Sequence, residues 1–132
     1  MTLITWNDSF SVGSEEIDSQ HRNLVGMLNG LHEAMSRGRG RDIMVATITN
    51  LVAYTRTHFR TEEDLFKHVG YPHTAAHVKE HQAFTGKITD FRDRFSAGKA
   101  ALSVEVMNFL SDWLKNHIMG SDKQYVPFIT VR

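Results

Sequence analysis

The chain has 132 residues, 41% of them apolar, with 15 basic and 15 acidic side chains and so no net formal charge. That length suits a single domain spanning 1–132 with a real core, and the balanced charge leaves no electrostatic footprint for nucleic acid or an anionic membrane. The lack of cysteine excludes disulfides, iron–sulfur clusters and thiolate zinc sites together, while the absence of a signal-like or membrane-length apolar stretch makes the cytoplasm the expected compartment.

Residues 1–13 carry Leu3, Ile4, Trp6, Phe10 and Val12 without helical period, and they read as an ordered arm lying on the domain. Ser14 followed by Glu15 and Glu16 marks a helix start, a capping hydroxyl ahead of acids at the positive end of the dipole. Ile17, His21, Leu24, Leu28, Leu31 and Met35 then recur in steps of four and three, a seam facing a core over about 15–37. Gly38 and Gly40 end it. A second helix over about 41–68 runs its seam through Met44, Ile48, Leu51, Thr55, His58, Glu62 and Leu65, widened by Val52, Phe59 and Phe66. Gly70-Tyr71-Pro72 breaks the chain before a third helix over about 73–96, with His77, His81, Phe84, Ile88, Phe91 and Phe95 on its seam. The fourth, over about 101–120, aligns Leu102, Val106, Phe109 or Leu110, Trp113 and His117. The tail, 123–132, contains Pro127 among alternating apolar residues and is expected as an extended strap. Four amphipathic helices with short connections predict an all-α, antiparallel up-down-up-down four-helix bundle.

His21, His58, Glu62, His77, His81 and His117 all fall where leucine or phenylalanine belongs. One such histidine is ordinarily a satisfied core residue. Several on four seams point instead to a metal, because a buried imidazole or carboxylate is costly unless paired or coordinating. Residues four apart on a helix lie ~40° apart around the axis and ~6 Å along it, so His58-x-x-x-Glu62 and His77-x-x-x-His81 can each aim two side chains into one site. In the expected topology the start of the first helix, the end of the second, the start of the third and the end of the fourth share one end, and all six residues converge there. His32 and His68 lie roughly 15 Å or more further along their helices and fall outside the convergence. His73 precedes His77 by four and could by spacing replace His81, though its place just after Pro72 favours a solvated or capping role.

His21, the H-F-R-T-E run from His58, the H-V-K-E-H run from His77 and the H-I-M-G-S-D run from His117 together resemble the hemerythrin family, and in particular its single-domain bacterial members. Trp6 in the arm, I-D-S-Q-H from Ile17 and W-L-K-N-H from Trp113 extend the resemblance over essentially the whole chain. It implies two iron ions, one held by His77, His81 and His117 and the other by His21 and His58. Glu62, Asp122 and a solvent-derived oxo or hydroxo group would bridge them. Asp122 enters through this resemblance. It lies ~140° from His117 on an ideal helix and by spacing alone stands equally well as a solvated acid near a helix end. If it is a ligand, the helix must depart from regular geometry between His117 and Asp122.

The resemblance further implies reversible binding of dioxygen, for carriage, storage or delivery, at the vacant position beside His21 and His58, rather than enzymatic turnover. Leu114, one turn before His117 and ~60° around the helix, is expected as a wall of the oxygen pocket, with Trp113 helping to keep it dry. Neither nucleic acid nor membrane insertion is expected, and an unidentified protein partner receiving the oxygen is left open. One alternative is a di-iron oxidase or peroxidase, whose sites are built on paired E-x-x-H motifs; this chain has none. The other is a sensor module for oxygen or nitric oxide.

Overall fold

The computed structural model describes residues 4–38, 41–99 and 104–130. Their elements are a short 3-10 turn in the arm (Asp8–Phe10), α1 (Glu15–Ser36), α2 (Arg41–Val69), α3 (Thr74–Ser96), α4 (Val104–Asn116), a π-helical segment (His117–Asp122) and α5 (Lys123–Thr130). No strand occurs among the described residues. The direction of each pairing follows from its side-chain contacts. Gln20 meets Thr61 and Asn23 meets Tyr54, so α1 and α2 run oppositely. His81 meets Glu63 and Arg56 meets Thr89, which sets α3 against α2. Phe84 stacks on Trp113 and Lys87 lies over the Phe109 ring, which reverses α4 again. The result is the expected up-down-up-down bundle.

Local chemistry explains the element ends. The Ser14 hydroxyl accepts from the Ile17 amide and caps α1. Gly70 closes α2 with φ +67°, and the Tyr71 amide donates to the Phe66 carbonyl at 3.0 Å. The Phe66 and Tyr71 rings then meet at 5.0 Å, the apolar contact that accompanies this kind of helix stop. His73 occupies the N-cap position of α3 but makes no side-chain capping hydrogen bond, and it is exposed. Of the two roles expected for it, the solvated one holds and the capping one does not.

The arm is held by side chains of α1. Asn29 exchanges two hydrogen bonds with the backbone of Ile4, and Asp18 accepts from the Val12 amide and the Ser11 hydroxyl. Ile4, Phe10 and Val12 are buried as a consequence. Leu3 and Gly40 lie outside the described residues, as do Leu102 and the start proposed for the fourth helix at 101.

Two apolar clusters fill the interior. The larger holds Leu24, Leu28, Leu31, Ile48, Leu51, Ile88 and Leu110 along the bundle. The smaller holds Val12, Ile17, Phe66, Tyr71 and Tyr125 at one end. Leu110 rather than Phe109 faces inward on α4, and Phe66 rather than Leu65 is fully buried on α2. The tail departs from expectation: it is helical, not an extended strap. Pro127 removes an amide donor and crowds the preceding turn, at a cost of roughly 3 kcal/mol in a helix interior. Tyr125 is fully buried in the smaller cluster and Val126 and Ile129 pack against it; that burial, at about 1.5–3 kcal/mol per large apolar side chain, outweighs the proline.

Candidate metal centre

The polar residues of the four seams lie between the two apolar clusters. His21, His58, Glu62, His77, His81, His117 and Asp122 are each at most 4% exposed. Their donor atoms form two overlapping groups: Glu62, His77, His81, His117 and Asp122 in one, His21, His58, Glu62 and Asp122 in the other, each within 4.8 Å throughout. Glu62 and Asp122 belong to both. Asp122 Oδ1 is 2.9 Å from His77 Nε2 and 3.0 Å from His117 Nε2, while its Oδ2 is 3.1 Å from His21 Nε2. Glu62 Oε1 is 3.0 Å from His81 Nε2, and its Oε2 is 3.7 Å from His21 Nε2.

The π-helical segment brings Asp122 into this set. Hydrogen bonding to the fifth residue inserts one extra residue into the turn, so the residue five after His117 returns to the inner face. The expected irregularity lies where the sequence places it. Ser121, in the same segment, donates its hydroxyl to Glu80 and ties the turn to α3.

Second partners orient the imidazoles. His58 Nδ1 is 2.7 Å from Gln20 Oε1, His81 Nδ1 is 2.9 Å from Glu63 Oε2, and His117 Nδ1 is 3.0 Å from Glu80 Oε1. A carboxylate or amide oxygen can only accept, so each Nδ1 carries the proton and each Nε2 presents a bare lone pair inward. Aromatic faces hold the rings from the other side: Phe59 stacks on His81 at 3.7 Å and Trp113 on His117 at 4.5 Å. Tyr125 donates its hydroxyl to Glu62 Oε2 at 2.6 Å. Burial first, then the neighbouring carboxylates, push the Tyr125 phenol far up, so it stays a donor.

This constellation fits a cation and little else. The Nε2 atoms of His77 and His81 each approach His117 Nε2 at 3.1 Å, lone pair toward lone pair for the His81–His117 pair. His21 Nδ1 and Nε2, Glu62 Oε1 and both Asp122 oxygens are buried without a hydrogen bond, although several have close neighbours. The atoms converge on shared points instead of aligning with one another. Each unsatisfied buried group costs about 1–3 kcal/mol, and a bound cation removes that cost. The protonation pattern of the bare cluster agrees. Burial would lower His21, but Asp122 and Glu62 hold it up at about 9; burial takes His58 down to about 4. Burial would raise the Asp122 carboxyl, yet His117, His21 and His77 keep it well below the carboxylate range. Metal binding at such a site displaces protons.

Of the other histidines, His32 is half-buried and His68 and His73 are exposed, and none joins either donor group. Leu114 is buried and Trp113 half-buried, and both line an apolar cavity of about 20 Å³ with Leu24, Thr55 and Phe59. That volume holds one water-sized molecule. Gln20, Glu63, Glu80, Ser121 and Tyr125 escaped the sequence reading. Gln20 and Glu80 adjoin His21 and His81, and Glu63 adjoins Glu62, but nothing in their spacing shows which imidazole each one meets.

The family model described as the hemerythrin HHE cation binding domain matches residues 12–129. A bacteriohemerythrin of Stenotrophomonas maltophilia is 41% identical over 95% of this chain and 80% of its own length. One from Pseudomonas aeruginosa is 38% identical over 98% of this chain and 83% of its own. A solved wild-type hemerythrin superposes with a TM-score of 0.92 at 33% identity, covering 98% of this chain and 99% of that one. Proteins of this family bind oxygen at a di-iron centre and are not enzymes. With the fold, the two donor groups and these likenesses in agreement, the chain belongs to the hemerythrin family.

Proposed function

We propose that the chain binds dioxygen reversibly, for carriage, storage or delivery, with one iron on His77, His81 and His117, the other on His21 and His58, and Glu62 and Asp122 shared between them. The observation that carries this reading is the overlap of the donor groups: both carboxylates belong to each, and the groups differ only in their histidines. Five donors against four leave the His21 and His58 side the more open. Imidazole with carboxylate suits iron among the first-row metals, and bound iron would supply reversible electron transfer to and from the oxygen.

The chain's own residues do the rest. Gln20, Glu63 and Glu80 fix ring orientation and tautomer. Tyr125 holds Glu62 through one oxygen and leaves the other turned inward. Phe59, Trp113 and Leu114 form the dry side, where exclusion of water limits loss of the bound ligand. No helix among the described residues is long and apolar enough to cross a membrane.

The test is metal analysis combined with absorption spectra under alternating argon and oxygen. Two irons per chain and a spectrum that cycles with the gas support the reading. A single tightly held zinc without iron, or a spectrum that argon does not restore, overturns it.

A further inference from the structure

The imidazoles of the two donor groups are backed by chemically different partners. In the three-histidine group, His81 Nδ1 faces the Glu63 carboxylate at 2.9 Å and His117 Nδ1 faces the Glu80 carboxylate at 3.0 Å. The Ser121 hydroxyl donates to the same Glu80 oxygen at 2.6 Å, which steadies the carboxylate from the π-helical segment. In the two-histidine group, His58 Nδ1 faces a neutral amide oxygen of Gln20 at 2.7 Å. His21 Nδ1 is buried with no hydrogen-bond partner at all.

A carboxylate behind an imidazole pulls on the Nδ1 proton and gives the ring partial anionic character, making Nε2 a stronger donor to a metal. A neutral amide does this weakly, and an unpartnered nitrogen not at all. Because Glu62 and Asp122 are common to both groups, they do not discriminate between the positions. The difference falls on the histidines and on the charges behind them.

From this contrast we propose that Gln20, Glu63 and Glu80 are positioning residues that make the two metal positions unequal. The His77, His81 and His117 position fills first and holds its ion longer, while the His21 and His58 position exchanges its ion more readily. The proposal rests on the two-metal reading above and adds an order of occupancy to it. It also places the labile ion at the more open coordination position, so loss of metal would first remove the oxygen-binding site and leave an occupied partner position behind.

The experiment uses the full chain in its iron-loaded, deoxygenated form, challenged anaerobically with excess of a ferrous-iron chelator whose complex is coloured. Wild type is expected to release iron in two phases of about one equivalent each. Gln20→Glu places a carboxylate behind His58 and should slow the first phase roughly 10- to 100-fold, leaving the second unchanged. Glu80→Gln should accelerate the second phase by a similar factor and spare the first. Ser121→Ala, which only loosens Glu80, should accelerate the second phase less, and it serves if Glu80→Gln loads poorly. Circular dichroism and iron content before the challenge establish that each variant is folded and loaded. Release of both irons in one phase, or a first phase indifferent to Gln20→Glu and accelerated by Glu80→Gln, would overturn the proposal. Fewer than two irons in wild type at the outset would instead overturn the di-iron reading beneath it.

Discussion

Truncating Leu114 separates a structural leucine from a wall of the oxygen pocket. Its side chain is 8% exposed and lines the same small cavity as Phe59 and Trp113. Leu114→Ala therefore loses the burial of its removed carbons and enlarges a space that is already open. Where neighbours close the gap such a change costs about 2.7 kcal/mol, and each further ~40 Å³ left empty adds about 1 kcal/mol. The stacking of Trp113 between Phe84, at 4.0 Å, and His117, at 4.5 Å, restrains the nearest side chain that could move in. We expect roughly 3–4 kcal/mol, or a fall in Tm of roughly 10–15 °C for a chain of this size. Ile48→Ala is the control: Ile48 is 1% exposed, lies in the same apolar cluster and does not line the cavity. Both variants should lose similar stability. Only Leu114→Ala should also hasten decay of the oxygenated spectrum to the ferric one, because the added space sits beside the ring that Trp113 covers and admits water. The assay follows that decay at matched temperature and pH in protein with full iron content. Equal decay rates in the two variants would refute the pocket reading and leave Leu114 as core.

Tyr125→Phe deletes the hydroxyl that donates to Glu62 Oε2; it should cost about 1.5–3 kcal/mol in urea unfolding, as for other hydrogen bonds to a charged group, and shift the visible spectrum of the loaded protein. An unchanged spectrum would mean that the hydroxyl serves only the packing of α5. Removing iron with a chelator should lower Tm, since binding at a hundredfold excess over Kd stabilises the native state by about 2.7 kcal/mol per site, and His58→Ala or Glu62→Ala should bring iron below two per chain. Gly70→Ala should cost about 1–2 kcal/mol through its positive φ, because a Cβ there meets nothing within 4 Å; a neutral result in urea titration would show that the turn relaxes.

The bundle and most of its centre were legible because they obey helical periodicity. A histidine at a leucine position carries its meaning in its register, and His21, His58, His77, His81 and His117 all keep the period of their helices. Glu62 follows His58 by one turn and inherits the same direction. Antiparallel packing then brings the groups together, as the pairing of His81 with Glu63 and of Phe84 with Trp113 bears out. The partners behind the rings were not legible for the opposite reason. Glu63, Glu80 and Gln20 sit off the seams, at positions that polar residues occupy on any helix surface, and only the rotation between helices decides which imidazole each one reaches.

Asp122 and Tyr125 show how one extra residue in a turn defeats a periodic reading. On an ideal helix Asp122 falls ~140° from His117, and only the family pattern marks it. Once the π-helical segment has taken up that residue, the inner face restarts: Asp122, Tyr125 and Ile129 stand at intervals of three and four, a helical seam on α5. Pro127 hid that seam, because its usual effect is to end a helix. The wide turn is in turn held by what it delivers. Ser121 bonds to Glu80, Lys123 donates to the Ser11 carbonyl of the arm, and Tyr125 bonds to Glu62. Each contact joins the end of the fourth helix to a different part of the chain, and each needs the register that the extra residue supplies. A π-helical turn is rare and occurs mostly as a single turn within an α-helix at a functional site, so these tertiary bonds, with the shared carboxylate of Asp122, favour it over the α-helix that the local sequence would otherwise form.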